Sequence, residues 1–225
     1  MRTIVYTAIL GGSDSLKPAP KGADCYCFVD DDAGDVKRNG WTLMGPWDCS
    51  ADPRREAWKL RCLPHRIWDD YSTVVWVDAS FRINDLSKLL NDAHGSRIAA
   101  LRHHERTNCY WEANRLARIG QSKIADISRQ LSDYQAERFD PTHLSVSCIL
   151  VRDNSKATNR FNETWDTQIR KYPGDNTQVS LDYSAWKNGI SIKALDGTRH
   201  QNPYAIHDTK DHQRRRKPYA MEASL

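Results

Sequence analysis

No run of apolar residues in this chain is long enough to cross a bilayer, which excludes a membrane-spanning helix. The opening stretch, Met1-Arg2-Thr3-Ile4-Val5-Tyr6, lacks the apolar core and small-residue cleavage site of a secretion signal, so a cytoplasmic location is expected. The six cysteines, Cys25, Cys27, Cys49, Cys62, Cys109 and Cys148, form no C-x-x-C pair, and their irregular spacing argues against a zinc ribbon. Without a secretion signal a disulfide framework is not expected either, and the thiols read as reduced and mostly buried. Internal repeats and low-complexity linkers are absent. Charge of one sign is scarce: 33 basic against 29 acidic residues leave a formal net charge of +4. That modest excess is uneven. Arg214-Arg215-Arg216-Lys217 lies near the C-terminus, and Arg54, Arg55, Lys59 and Arg61 cluster earlier. Such clusters suit a polyanion or a diphosphate, and equally a solvated face.

What is present is an ordinary globular composition, 39% hydrophobic and 28% charged in 225 residues. That is enough for one α/β domain with a sizeable core, or for two small domains. Thr3 to Leu10, rich in β-branched residues and ended by Gly11-Gly12, predicts a strand. Asp24 to Val29 predicts a second, ended by Asp30-Asp31-Asp32, and Gly40 to Met44 a third. Asp52 as N-cap and Pro53 at the first helical position open a helix that runs to about Cys62, where Pro64 stops it. Thr73 to Val77 is the clearest buried strand, a short apolar run between polar residues. Strands at Ile98–Leu101 and Val146–Val151 alternate with helices at 85–93, 110–119, 124–137, 157–171 and 177–187. After Asp196 the polar, His- and Arg-rich sequence predicts a tail packed across the body. This alternation implies a layered α/β sheet, whose ligands lie outside the carboxyl ends of the strands.

The residues just beyond those ends are therefore the candidates. Asp78 follows an apolar strand and precedes Ala79 and Ser80, small neighbours that let a diphosphate approach. A carboxylate there suits a hard cation, Mn²⁺ or Mg²⁺, acting as Lewis acid on a departing diphosphate, or else simply caps a turn. Asp30 suits a nucleobase or a ribose hydroxyl, and Thr7 a hydroxyl or backbone contact to the nucleotide. Arg55 and Lys59 share a helix face and, with Arg61, can reach a diphosphate. The expected donor side is completed by Ala8, Gly11, Val77, Ser80 and, from the tail, Lys217. His103, His104, Arg106, Trp111 and Glu112 gather polar and titratable groups where an acceptor would dock, with Glu112 as a possible acid or base. Asp175 and Gln178, after Pro173-Gly174, can hold or deprotonate an acceptor hydroxyl, and His207 or His212 can supply a metal ligand from a flap.

Several short pieces occur in a telling order. They are Val5-Tyr6-Thr7-Ala8-Ile9-Leu10-Gly11-Gly12, Cys27-Phe28-Val29-Asp30, Gly40-Trp41, Leu63-Pro64-His65 and Trp76-Val77-Asp78. His104 with Arg106, Cys109 with Glu112-Ala113, Gln130 with Tyr134, Trp165, and Gln178 with Ser180 and Tyr183 follow. From about residue 4 to residue 187 this series resembles the plant TOD/MUCI-type glycosyltransferase-like family, which has bacterial and viral relatives. The resemblance implies a GT-A fold: a nucleotide-binding mixed sheet flanked by helices, with residues 1–225 as one domain and 197–225 as a basic tail packed on it. It also implies a nucleotide-sugar donor, expected to be a UDP-sugar, and a divalent metal, with Asp78 as counterpart of the metal-binding acidic motif. Two departures stand out. Trp76 occupies the first acidic position of the usual Asp-x-Asp, and Thr177-Gln178 stands where an Asp-Gln pair is expected, which makes Asp175 a candidate substitute. The tail from His207 to Tyr219 is similar to the His…Lys-Pro-Trp ending of retaining GT-A enzymes.

Sugar transfer to an acceptor hydroxyl is thus the expected activity. The resemblance suggests a glycan acceptor. Eight tryptophans and the Arg214–Lys217 run also suit a hydroxymethylated DNA base, flipped out of its duplex. A non-catalytic nucleic-acid-binding module would account for the tail but leave the strand-end aspartates without a role. A metal-dependent nucleotidyltransferase would need a second close carboxylate. No obligate protein partner is indicated.

Overall fold

Runs of β-branched and aromatic residues build the centre of the molecule. The computed structural model describes residues 2–12, 14–30, 38–49, 52–173 and 177–208. Its strands are β1 (Thr3–Ile9), β2 (Asp24–Val29), β3 (Thr42–Met44), β4 (Thr73–Val77), β5 (Phe81–Ile83), β6 (Ile98–Arg102), β7 (Ser145–Asp153), β8 (Ile192–Thr198) and β9 (Ala205–His207). Seven of these form one sheet in the order β3-β2-β1-β4-β7-β6-β8, and β5 pairs with β9 in a small second sheet. β1, β2, β3 and β4 are mutually parallel, β7 runs against both β4 and β6, and β8 is parallel to β6. Every strand of the large sheet except β7 therefore ends on the same rim.

Helices cover both faces, which is why β1 and β4 read as continuous apolar runs rather than as alternation. They are α1 (Pro53–Cys62), α2 (Leu86–Ala93), α3 (Cys109–Arg118), α4 (Ile124–Ala136), α5 (Lys156–Lys171) and α6 (Leu181–Lys187). On one face Tyr6 and Trp76 pack with Leu60 of α1, Phe161 and Trp165 of α5 and Leu181 of α6. On the other, Val5, Val75 and Val77 meet Leu86 and Leu89 of α2 and Phe81 of β5. A third cluster joins α3, α4 and α6 through Leu116, Tyr134 and Tyr183. Tyr134 and Tyr183 stack with ring centroids 3.7 Å apart.

Arg152 of β7 is buried in the first core. Its guanidinium donates to the Tyr6 hydroxyl (3.0 Å), to Asn162 Oδ1 (2.8 Å) and to the Arg61 carbonyl at the end of α1 (2.8 Å). The negative end of the α1 dipole thus faces this buried cation. Tyr6 in turn donates to the Leu60 carbonyl (3.1 Å), so the last turn of α1 is pinned to the sheet.

Two expectations need correction. The helix expected over 177–187 begins only at Leu181, because Thr177 sits at φ 72°, a left-handed conformation that no helix contains and that a β-branched residue rarely adopts. The polar stretch after Asp196 is not irregular throughout. It continues β8 to Thr198 and then supplies β9, with His207 paired to Phe81. β8 itself is an edge strand in which only Ile192 and Leu195 are buried, three residues apart, so it shows no period-two alternation in the sequence.

Candidate active site

The common rim gathers the strand-end residues. Gly11, at φ 68°, turns the chain beyond β1, and a Cβ there would lie 3.2 Å from Pro53, so glycine lets the start of α1 sit close above β1. Its backbone N–H donates to Asp30, just beyond β2. Asp30 is buried. Oδ2 also accepts from the Cys49 thiol (2.8 Å), while Oδ1 has no hydrogen-bond partner among the described residues. Thr7 is fully buried within β1, Val77 is buried at the end of β4, and Ala8 is half-buried against the core. The Ser80 carbonyl accepts from the Asp208 backbone N–H (2.8 Å), tying the segment after β9 to the turn after β4.

Asp78 stands at the centre. Its backbone N–H bonds to the Cys148 carbonyl of β7 (2.8 Å), and its carbonyl accepts from Phe81 N–H (2.9 Å), closing the turn into β5. Its Oδ1 accepts from the Arg61 guanidinium (Nη2, 2.6 Å) and from the Trp76 indole N–H (2.8 Å). Residues 76 and 78 share a face of β4, so the tryptophan in the expected acidic position becomes a hydrogen-bond donor to the remaining carboxylate. Arg61 reaches Asp78 from the last turn of α1 across the Trp76 ring, 4.8 Å from its centroid. Nη1 of Arg61 donates to Ser147 Oγ (3.0 Å) and Thr177 Oγ1 (3.1 Å). Three segments, β4, β7 and the loop before α6, are therefore joined by one guanidinium.

Arg55 and Lys59 stay out of this cluster. They lie on another face of α1, paired with Asp52 and Glu56 (each 3.5 Å). Gln178 is half-buried beside Thr177. His207 stacks on Phe81 (centroids 4.4 Å apart, 12° between planes) and has Arg199 Nη2 3.4 Å from its Nε2. Asp175, His212, Lys217 and the Arg214–Arg216 run lie outside the described residues, as do Asp31 and Asp32.

On the acceptor side, His103 accepts from the backbone N–H groups of Glu105 and Arg106 through Nδ1 (both 3.0 Å). Burial first, then the neighbouring Arg106, His104, Arg199 and Arg115, push its pKa down to about 4. His103 stacks on His104, which meets His200 edge-on (centroids 4.7 Å in each case). Glu112 is buried and ion-paired to Arg106, with Arg115 Nη1 at 3.9 Å. Trp111, one turn into α3, is 67% exposed.

Sequence reasoning missed three residues. Ser147 and Thr177 look like ordinary strand and loop hydroxyls, and only the register of β7 and the placement of the loop bring them to Arg61. Arg199 follows β8 in what read as tail. Its charge and that of Arg61 both act on the buried Cys148 thiol, as does Asp78, and burial pushes that thiol up to about 12.

The donor set around Asp78 does not fit the expected Mn²⁺ or Mg²⁺. A hard cation takes six or more oxygen ligands. Here one Asp78 oxygen already carries two N–H donors, and His207 lies against Arg199. Among the described residues no group of three His, Cys, Asp or Glu side chains is arranged to hold a metal ion. No helix among them is long and apolar enough to cross a membrane.

Residues 48–195 match the family described as TOD1/MUCI70, glycosyltransferase-like domain. The fold is similar to that of the WbbM bifunctional glycosyltransferase in its apo structure, with a TM-score of 0.50 and 13% identity. That likeness covers 86% of this chain and 38% of WbbM, so this chain spans well under half of that protein, and at such identity it concerns the fold alone. The comparison with curated proteins found no match. The rim of strand-end residues, the mixed sheet flanked by helices and a family match over more than half of the length agree: the chain belongs to the TOD1/MUCI70 glycosyltransferase-like family.

Proposed function

We propose that this chain transfers a sugar from a nucleotide-sugar donor, a UDP-sugar, to a hydroxyl of a glycan acceptor. The observation that carries the reading is the meeting of Gly11, Asp30, Asp78 and Arg61 at one rim of the sheet. Asp30 Oδ1 is a buried acceptor without a partner among the described residues, suited to a nucleobase N–H or a ribose hydroxyl. The arginines oppose the charge of a diphosphate. The bond between the anomeric carbon and the diphosphate breaks with its electron pair on the diphosphate. A new bond joins that carbon to the acceptor oxygen, and the acceptor proton is released. Trp111 offers an exposed flat ring in the first turn of α3, a surface on which a sugar ring can stack.

A panel of nucleotide sugars and oligosaccharide acceptors, read by release of the nucleoside diphosphate, tests this. Turnover is expected with a UDP-sugar, and Asp30→Asn should raise KM for that donor far more than it lowers kcat. No release with any donor–acceptor pair would sink the reading. Turnover only on hydroxymethylated duplex DNA, with binding that falls steeply as salt rises, would move the acceptor from glycan to DNA.

A further inference from the structure

Two guanidinium groups and one carboxylate stand where a divalent cation would be looked for. We propose that Arg61 and Arg199 provide the positive charge that holds the donor diphosphate, in place of a metal ion, and that Asp78 is the positioning residue that anchors Arg61. The inference rests on the nucleotide-sugar reading above and names the residues that grip the donor.

The first ground is occupancy. Asp78 Oδ1 is taken by Arg61 and by the Trp76 indole, and the tryptophan stands where a second carboxylate would have joined a metal shell. The second is preorganisation. The Arg61 side chain is only 12% exposed, lies over the Trp76 ring and is hydrogen-bonded to Asp78, Ser147 and Thr177. A guanidinium stays protonated at any working pH, and its planar fork matches phosphate oxygens in pairs. The third is unused capacity. Nε of Arg61 and Nε of Arg199 are both buried and have no hydrogen-bond partner among the described residues. A buried donor left unpaired is costly, and a phosphate oxygen would relieve it. The fourth is charge balance. Arg199 Nη2 lies 3.4 Å from His207 Nε2, and His207 stacks on Phe81, whose N–H bonds to the Asp78 carbonyl, so a second cation stands at the turn that Asp78 opens and favours an anion there. Thr177 belongs to the same device: it is held in the left-handed region while its Oγ1 accepts from Arg61, the kind of local strain that gathers at ligand clamps.

UDP is the probe, titrated calorimetrically into the full chain in excess EDTA and again with Mn²⁺. Equal affinity in the two conditions is expected. Arg61→Gln and Arg199→Gln should each weaken binding by about tenfold or more, the scale of a lost charge-assisted contact. Arg61→Lys, which keeps the charge but not the fork, should recover part of the loss, and thermal melts of each variant separate lost binding from lost folding. Asp78→Asn keeps an oxygen for Arg61 to bond but loses the charge that anchors it, and should weaken UDP binding in EDTA by less than Arg61→Gln does. UDP binding that appears only with Mn²⁺ and vanishes in Asp78→Asn would overturn the proposal, leaving the nucleotide-sugar reading intact. Failure of UDP and every other nucleoside diphosphate to bind in either condition would defeat both.

Discussion

His103 shows what a single residue's surroundings decide. An imidazole ordinarily titrates near 6.5, whereas burial and the neighbouring cations bring this one down to about 4. The unfolded chain therefore binds more protons between those values, so the contribution of His103 to stability is complete above about pH 6.5 and shrinks as pH falls toward about 4. His65 and His200 are lowered as well, each first by burial, and push the same way. The urea midpoint should accordingly drop between neutral and mildly acidic pH. The His103 ring signals in NMR should titrate near pH 4, and a midpoint near 6.5 would show that the His103 environment is more open than described.

At the scale of the element, α1 and α5 set the site. Asp52 caps α1 by accepting from Arg54 N–H (3.0 Å) and Arg55 N–H (3.2 Å), and nine residues later the same helix delivers Arg61. Asp52→Ala should lower unfolding free energy by about 1 kcal/mol, measured by urea denaturation. It should also weaken UDP binding, since the helix that carries Arg61 loses its start; an unchanged midpoint would mean the cap is replaced by water. α5 acts from beside it on the same face of the sheet. The buried Trp165 indole donates to the Thr177 carbonyl (2.9 Å) and so fixes the loop that holds Arg61. Trp165→Phe keeps the ring packing but leaves that carbonyl unpaired, a loss of about 1–3 kcal/mol. Lower stability together with lower donor affinity is expected; a loss of stability alone would separate the loop from the donor site.

Over the whole molecule, three packed clusters bury every thiol. All six cysteines are reduced and buried, and burial raises Cys25 to about 11 and Cys27 to about 12. In native buffer an aromatic disulfide reagent should titrate none of the six within minutes, and all six in denaturant. A thiol that reacts quickly in the native chain would locate a breach in the buried cluster that holds it. The same enclosure explains how one rim becomes the site. Six of the seven strands of the large sheet end there, so Gly11, Asp30, Asp78, His103 and Arg199 line one rim although they are scattered over nearly two hundred residues.

Much of this was legible from the chain alone. Apolar runs such as Thr73–Val77 and the Asp52-Pro53 start specify their elements by local chemistry, and the bounds of β2, β4 and α1 agree with the pattern read from them. Asp30 and Asp78 were visible as candidates because a carboxylate after an apolar strand must lie at the sheet rim. β8 and β9 were not legible, since edge and two-stranded pairs carry too few inward residues to leave a periodic signal. Nor was the fate of Asp78. One-dimensional spacing placed a cation at this carboxylate, but Arg61 lies on α1 and Ser147 and Thr177 lie far along the chain, and only the packing of α1 and β7 against β4 brings them together. The sequence by itself determined that a carboxylate would stand at the end of β4. Tertiary structure decided which positive charge it faces, because charge pairing depends on distance through space and not on separation along the chain.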